Sequence, residues 1–430
     1  MPYKDLNERT LHLIEKMEAL ALVSEDQTCL TRTYGSEAIK RANNLVLKWM
    51  EKAGLETRID NIGNVRGRLE STNFSDKTFI FGSHMDSVKN AGKYDGPLGL
   101  LMALDVVAQL KQKDKLPFNI EVVGFCDEEG VRFTTTYLGS SALSNTFENE
   151  WLDRKDDLGI SLAELIKKNG GDPTKIPNDA LHPDECLGFY EVHIEQGPVL
   201  EKKEIPVGIV TSIAGQTRLE IHFKGKAGHA GTTPMSMRQD ALCAAAEFIS
   251  FIELYSKDLT IPLVATVGKL ITAPNVSNVI PEEVICSLDV RSPKNEIMEN
   301  ALHDFEKTAT KICEERNLTL DWTVLQKNKP VYCDSDLCNL LEKAISKTGI
   351  NQIIKLPSGA GHDAVALSKI MPVSMLFVQC KEGISHHPDE FVKFDNILAA
   401  LSVSDNFVRE LIQVHQFPNK VEVKQGIFKI

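Results

Sequence analysis

The sequence predicts an α/β protein whose main domain is interrupted by a smaller, ferredoxin-like (β-α-β-β-α-β) insert. Three observations carry this. At 430 residues the chain exceeds the roughly 250–300 at which a single core stops growing, so at least two domains are expected. In the first half, helical periodicity alternates with short, largely apolar runs such as NIEVVGF (119–125), apolar enough to be a strand buried on both faces. Near Gly215 the pattern changes: RLEIHFKG (218–225) puts Leu219, Ile221 and Phe223 on one face and polar residues on the other, the mark of a sheet with one wet side.

The elements follow in order. From Ser36 to Lys52, Ile39, Ala42, Leu45, Val46, Trp49 and Met50 fall at helical spacing, with Ser36 to cap the helix and Gly54 to stop it. Strand-like pieces follow at 57–59 and 78–82, then a helix over 98–110 and the buried strand 119–125. The second region reads as a strand at 218–225, a helix from 236 to about 255, strands at 263–271 and 284–291, a helix from about 294 to 315, and a strand at 318–325. After Pro330 the α/β pattern resumes, with a helix over 336–347, the loop LPSGAGHDA (356–364) and a buried strand VSMLFVQ from Val373. The expected division is 1–214, 215–329 and 330–430, with the first and last parts forming one domain.

Composition excludes several classes. The formal charge of −12, without a long basic run, argues against a nucleic-acid partner. The start MPYKDLNERT has no apolar core, and no segment approaches the roughly 18 apolar residues of a membrane span. A cytoplasmic protein with no membrane partner is expected. Nine scattered cysteines, odd in number and without a C-x-x-C pair, read as reduced thiols.

Four stretches could carry chemistry. GSHMDSVKNAGKYDGPLGL (82–100) ends a strand with His84 and Asp86 and opens a helix after Asp95-Gly-Pro. His84 and Asp95 suit metal ligation, with Asp86 accepting the other ring N–H of His84; the plain alternative is a strand cap and two turn aspartates. FCDEEG (125–130) ends the buried strand with Asp127, Glu128 and Glu129, whose mutual repulsion calls for a cation or a shared proton unless the turn is simply solvated. One such carboxylate binding metal while its neighbour takes a proton from water is what metal-assisted hydrolysis uses. EVHIEQG supplies His193 and Gln196, and GISHHPDE supplies His386 and His387. Singly each histidine is an ordinary core or loop residue; four strand-ending pieces together are hard to read as independent.

These motifs resemble metallopeptidase family M20, within it the amidohydrolase branch of allantoate amidohydrolases, N-carbamoyl-L-amino acid hydrolases, ureidoglycolate amidohydrolases and yeast-type β-ureidopropionases. The resemblance runs from the helix before residue 50 to about Leu411, and HIEQG is its sharpest marker. It implies a metal-dependent exopeptidase-like catalytic domain with a lid and dimerisation domain at 215–329. It further implies one metal held by His84 and His193, a second by Glu129 and His386, and Asp95 bridging both. Zinc or manganese would suit, with cobalt a further option. His386 is preferred to His387 because the branch pattern is S-H-x-P. Glu128 becomes the general base, Asp86 its catalytic companion behind His84, and His229 of KAGHAGTTP stabilises the oxyanion from a homodimer partner. Asn278, Arg291, Gln196, Gly361 and His362 match the substrate contacts, Arg291 anchoring a carboxylate through its two-pronged fork.

The implied activity is hydrolysis of the carbamoyl C–N bond of a small ureido carboxylate. The runs IAGQTRLEIHFKGKAGHAGTTPMSMRQD and MLFVQCKEGISHHP lie nearer the allantoate group. The alternatives are an N-carbamoyl-L-amino acid hydrolase or β-ureidopropionase, a dipeptidase or aminoacylase, which His193 and Gln196 disfavour, and a non-catalytic metal-binding dimer, which would have no need of Glu128.

Overall fold

A computed structural model describes residues 5–73, 75–110, 116–257 and 262–416. They form two compact units, the first made of the described residues of 1–211, 333–356 and 362–430 and the second of those of 212–332 with Pro357–Gly361.

The first unit is built on a mixed sheet. Its order is Glu56–Ile59, Val65–Leu69, Asn119–Phe125, Thr78–His84, Cys186–Ile194, Val373–Val378 and Val207–Ile213. The four central strands run parallel. Thr78–His84, Asn119–Phe125 and Val373–Val378 are buried along their whole length, which is why they are mostly apolar rather than alternating, and the buried Glu121 is paired with Arg66. Register puts His84 opposite Phe125, and His193 opposite Phe377, so the functional stretches leave the sheet at one edge, the carboxyl ends of the parallel strands.

Helices Leu6–Ala21, Pro97–Leu110, Ser335–Ser346 and Phe394–Gln416 contribute to the core against this sheet. Helix Glu37–Lys52 starts where expected: the Ser36 side chain accepts a hydrogen bond from Ile39 N at 3.1 Å, a cap worth about 1 kcal/mol. Helix Pro97–Leu110 sits close enough to the sheet that a Cβ on Gly99 would lie 2.0 Å from the Val192 carbonyl oxygen. That contact requires the glycine of GPLGL.

The second unit realises the β-α-β-β-α-β order. Strands Gly215–Lys224, Glu283–Ser292 and Thr319–Asn328 and the pieces Val264–Thr266 and Leu270–Ala273 make an antiparallel sheet with Leu270–Ala273, Glu283–Ser292, Gly215–Lys224 and Thr319–Asn328 side by side. Helices Ala241–Lys257 and Asn295–Arg316 pack with Leu219, Ile221 and Phe223, leaving Gln216, Arg218 and Glu220 on the other face. Two expectations need correction. The single strand at 263–271 is broken in two around Gly268, the strand-weakening residue within it. The helix expected from Ser236 begins at Ala241, because the carboxylate of Asp240 caps it, accepting from Leu242 N (3.0 Å) and Cys243 N (3.1 Å), while Met235–Met237 forms a separate 3-10 turn.

All nine cysteines are free thiols. Among the described residues no helix is long and apolar enough to cross a membrane.

Candidate metal centre and active site

The DGP turn explains how a histidine and two carboxylates come together after strand Thr78–His84. Gly96 has φ +82°, and a Cβ there would lie 2.5 Å from the His84 ring, so the chain folds tightly over that ring and returns Asp95 to it. Asp95 is buried, and its two oxygens face different partners. Oδ1 lies 3.3 Å from His84 Nε2 and 3.0 Å from His193 Nε2. Oδ2 lies 3.3 Å from His386 Nε2, which is itself 3.3 Å from Glu129 Oε1.

The protons on these rings are fixed from behind. Nδ1 of His193 donates to the Ile194 carbonyl at 2.9 Å, and Nδ1 of His84 to the Asp86 carbonyl at 3.1 Å, so in both rings it is Nε2 that faces the cluster. This corrects the role expected of Asp86. Its carboxylate stands 3.8 Å from His84 Nδ1 and instead accepts from Glu128 N (3.1 Å) and Glu129 N (3.2 Å). Asp86 therefore shapes the acidic turn, where Asp127 adopts φ 52°, and its main-chain oxygen orients the imidazole.

The donor set fits divalent cations. Ligand atoms on a tetrahedral zinc with bonds of roughly 2.0–2.1 Å lie about 3.3 Å apart, which matches the 3.0–3.3 Å spacings around Asp95. His84, Asp95 and His193 form one group able to hold an ion, and Asp95, Glu129 and His386 another. The protonation pattern agrees. Burial pushes the carboxyls of Asp127 and Glu128 well above their usual range, with further repulsion from Glu129. Asp95 stays far below that range despite its burial, because His193, His386 and His84 surround it. His386 is raised to about 10 by its hydrogen bonds to Asp95 and Glu129. Protons crowded onto a buried acidic cluster are what a bound cation displaces.

The other expected residues divide between the units. Gln196, at φ 56°, donates from Nε2 to Asp95 Oδ2 at 2.7 Å, so it meets the central carboxylate of the cluster directly. His387 turns away to Asp389 (3.5 Å), leaving His386 as the histidine in the cluster. His362 is buried beneath the cluster, its ring centroid 4.5 Å from that of His193, while Gly361 belongs to the second unit.

In the second unit His229 and Asn278 meet on a two-stranded ribbon: His229 pairs with Val279, and Ala230 N donates to Asn278 O at 3.0 Å. His229 is exposed, and its Nδ1 accepts from Gly231 N at 3.0 Å, so the proton sits on Nε2, ready to be donated. Arg291, expected to anchor a substrate carboxylate, is also engaged by its own unit. Its Nε and Nη2 hold Asp289 (2.9 and 3.3 Å) and its Nη1 donates to Gly359 O (2.9 Å).

Comparison with known proteins follows the same lines. The sequence pattern of peptidase family M20/M25/M40 matches residues 80–410. The chain belongs to that family. It is similar to a Glycine max protein named allantoate deiminase 2, with 38% identity over 93% of this chain and 89% of that protein. It is also similar to an N-carbamoyl-L-amino acid amidohydrolase of Geobacillus stearothermophilus, with 40% identity over 89% and 94%. A crystal structure of a hydantoinase/carbamoylase family amidase from Burkholderia multivorans superposes with a TM-score of 0.86 at 29% identity, covering 93% of this chain and 97% of that one. The chain is thus a member of the amidohydrolase branch of M20.

Several residues of this M20 site escaped the sequence reading. Glu390, of GISHHPDE, is buried and accepts from Tyr94 N (2.7 Å) and Asp95 N (3.1 Å), fixing the backbone of Asp95; burial lifts its carboxyl to about 7. Ser385 donates to Asp95 Oδ2. Glu191, two residues before His193 and so on the same strand face, takes the Ser83 hydroxyl at 2.7 Å, and Asp363 takes that of Ser140 at 2.6 Å. The i, i+2 spacing of Glu191 and His193 was a usable signal. Glu195, by contrast, is structural: it accepts from Val199 N and Leu200 N at the start of helix Val199–Lys202.

Proposed function

We propose that this chain is a dinuclear-metal amidohydrolase that cleaves the carbamoyl C–N bond of a small ureido carboxylate, with allantoate as the first candidate, giving ureidoglycine, ammonia and carbon dioxide in purine catabolism. The observation that carries this reading is the division of Asp95, one oxygen toward His84 and His193 and the other toward His386 and Glu129, with Glu128 buried beside them. The N-carbamoyl-L-amino acid reading stays beside it, because a relative of that name is as similar as those named for allantoate. We place the enzyme in the cytoplasm, as a homodimer formed through the 215–329 lid domain.

When bound, two divalent ions, zinc or manganese, supply Lewis acidity and make a water a competent nucleophile near neutral pH. The chain's own residues do the rest. Glu128 accepts a proton from the attacking water and returns it to the departing nitrogen. His229, through Nε2–H, donates to the developing oxyanion. Arg291 holds the substrate carboxylate, with Asn278 near His229 as a further polar contact. Ammonia release from allantoate, N-carbamoyl-amino acids, 3-ureidopropionate and ureidoglycolate, after each metal is restored to stripped enzyme, tests the reading. Silence on all four substrates with every metal would sink it.

Two further results are expected. Elemental analysis should find two divalent ions per chain, because the ligands exceed what one tetrahedral site with an open position needs. Full activity with one ion would remove the bridging role of Asp95. Arg291→Ala should raise KM for every carboxylate substrate while leaving metal content unchanged. Truncating one partner of a buried charge pair costs on the order of 2–5 kcal/mol, and a side chain one-third exposed belongs at the lower end. An unchanged KM would move the carboxylate anchor elsewhere.

A further inference from the structure

The engagement of Arg291 by its own chain is informative once its donors are counted. A guanidinium has five N–H groups. Nε–H and one Nη2–H go to the two oxygens of Asp289, and one Nη1–H goes to Gly359 O. Among the described residues two N–H groups remain without a partner, one on each terminal nitrogen, enough to give a carboxylate two hydrogen bonds. Asp289 thus clamps the Nε side, and each terminal nitrogen keeps one N–H. Arg291 lines a cleft of about 440 Å³ that also includes Pro262, Val264, Pro293 and Pro357, room for a small carboxylate.

Asp289 is held in turn. On the open face of the second unit's sheet, register sets Arg218 opposite Asp289 and Gln216 opposite Arg291. Asp289 Oδ2 accepts from Gln216 Nε2 at 2.7 Å and from Arg218 Nε at 3.1 Å as well as from Arg291. Burial opposes its charge, yet the two guanidiniums keep its carboxyl below the usual range. One carboxylate shared by two arginines does not neutralise both. The cluster keeps a net positive charge and still attracts a second anion.

We propose that Asp289 is a positioning residue, braced by Gln216 and Arg218, which turns the two remaining N–H groups of Arg291 toward the carboxylate of the substrate. This rests on the reading of Arg291 given above. Asp289→Asn keeps the shape but can offer only one acceptor oxygen where four donors converge, so the fork loses its brace. KM for the preferred ureido carboxylate should rise roughly tenfold, the worth of one charge-assisted hydrogen bond, with kcat changed far less. KM for the matching primary amide, which has no carboxylate to place, should not move. In an Arg291→Ala background Asp289→Asn should add nothing, and Asp289→Glu should recover part of the loss. If Asp289→Asn does not yield folded protein, Asp289→Glu carries the same comparisons. Equal KM increases for acid and amide, additive effects in the double variant, or an unchanged KM beside a sensitive Arg291→Ala would overturn the inference and leave the proposed activity standing. An Arg291→Ala enzyme with unchanged KM would overturn the anchor itself and this inference with it.

Discussion

Glu128→Gln is expected to remove nearly all turnover while both metals stay bound. The amide keeps the volume and one oxygen of the carboxylate but cannot take a proton, and a positioned general base contributes about 10²–10⁴ in rate. Glu128 is buried beside the cluster, and no ring nitrogen of His386 is directed to it as one is to Glu129. Glu129→Gln should show the opposite phenotype. It withdraws a charged ligand 3.3 Å from His386 Nε2, so metal content should fall first and activity with it, recovering when metal is supplied in excess. Metal analysis and ammonia release on the two variants side by side decide the matter. Metal loss from Glu128→Gln with metal retention by Glu129→Gln would reverse the assignment within the acidic pair.

The adjacency of those two glutamates was plain in the sequence, as was most of what ends a strand. A buried parallel strand announces itself by a largely apolar run, and His84 and His193 stand at its end in the register; Glu121 and Glu191 are the exceptions, buried inside their strands and paired there with Arg66 and the Ser83 hydroxyl. The β-α-β-β-α-β order was legible for a related reason: Leu219, Ile221 and Phe223 alternate with polar neighbours, and no helix tolerates that pattern. What could not be read was main-chain chemistry. Asp86 offers a carboxylate and a carbonyl to the same imidazole, and only coordinates distinguish the carbonyl at 3.1 Å from the carboxylate at 3.8 Å. Glu390 works through the amides of Tyr94 and Asp95, nearly 300 positions away, and nothing in PDE signals that. The clamp on Arg291 was within reach, since Asp289 lies two residues before it on the same strand face, but an arginine in a motif invites a ligand before a neighbour is considered.

Mixing two inactive variants should restore activity, and this is the sharpest test of the lid domain. His229 lies on a short ribbon of the second unit, exposed, with its proton on the nitrogen that can donate. The sheet of that unit ends on Thr319–Asn328, an edge strand carrying Val324 and Leu325 at 51% and 64% exposure, a liability unless a second copy covers it. With the homodimer proposed above, His229 of each chain completes the site of the other. Glu128→Gln lacks the base and His229→Ala lacks the oxyanion donor, so each homodimer is inactive. In a heterodimer one site joins the intact Glu128 of the His229→Ala chain to the intact His229 of its partner, while the other site carries both defects. Equal mixing makes about half the dimers hybrid with one working site each, so activity should approach about a quarter of wild type once subunits exchange. Differently tagged chains that demonstrably exchange and yet stay at the background of the single variants would show that His229 acts within its own chain or not at all.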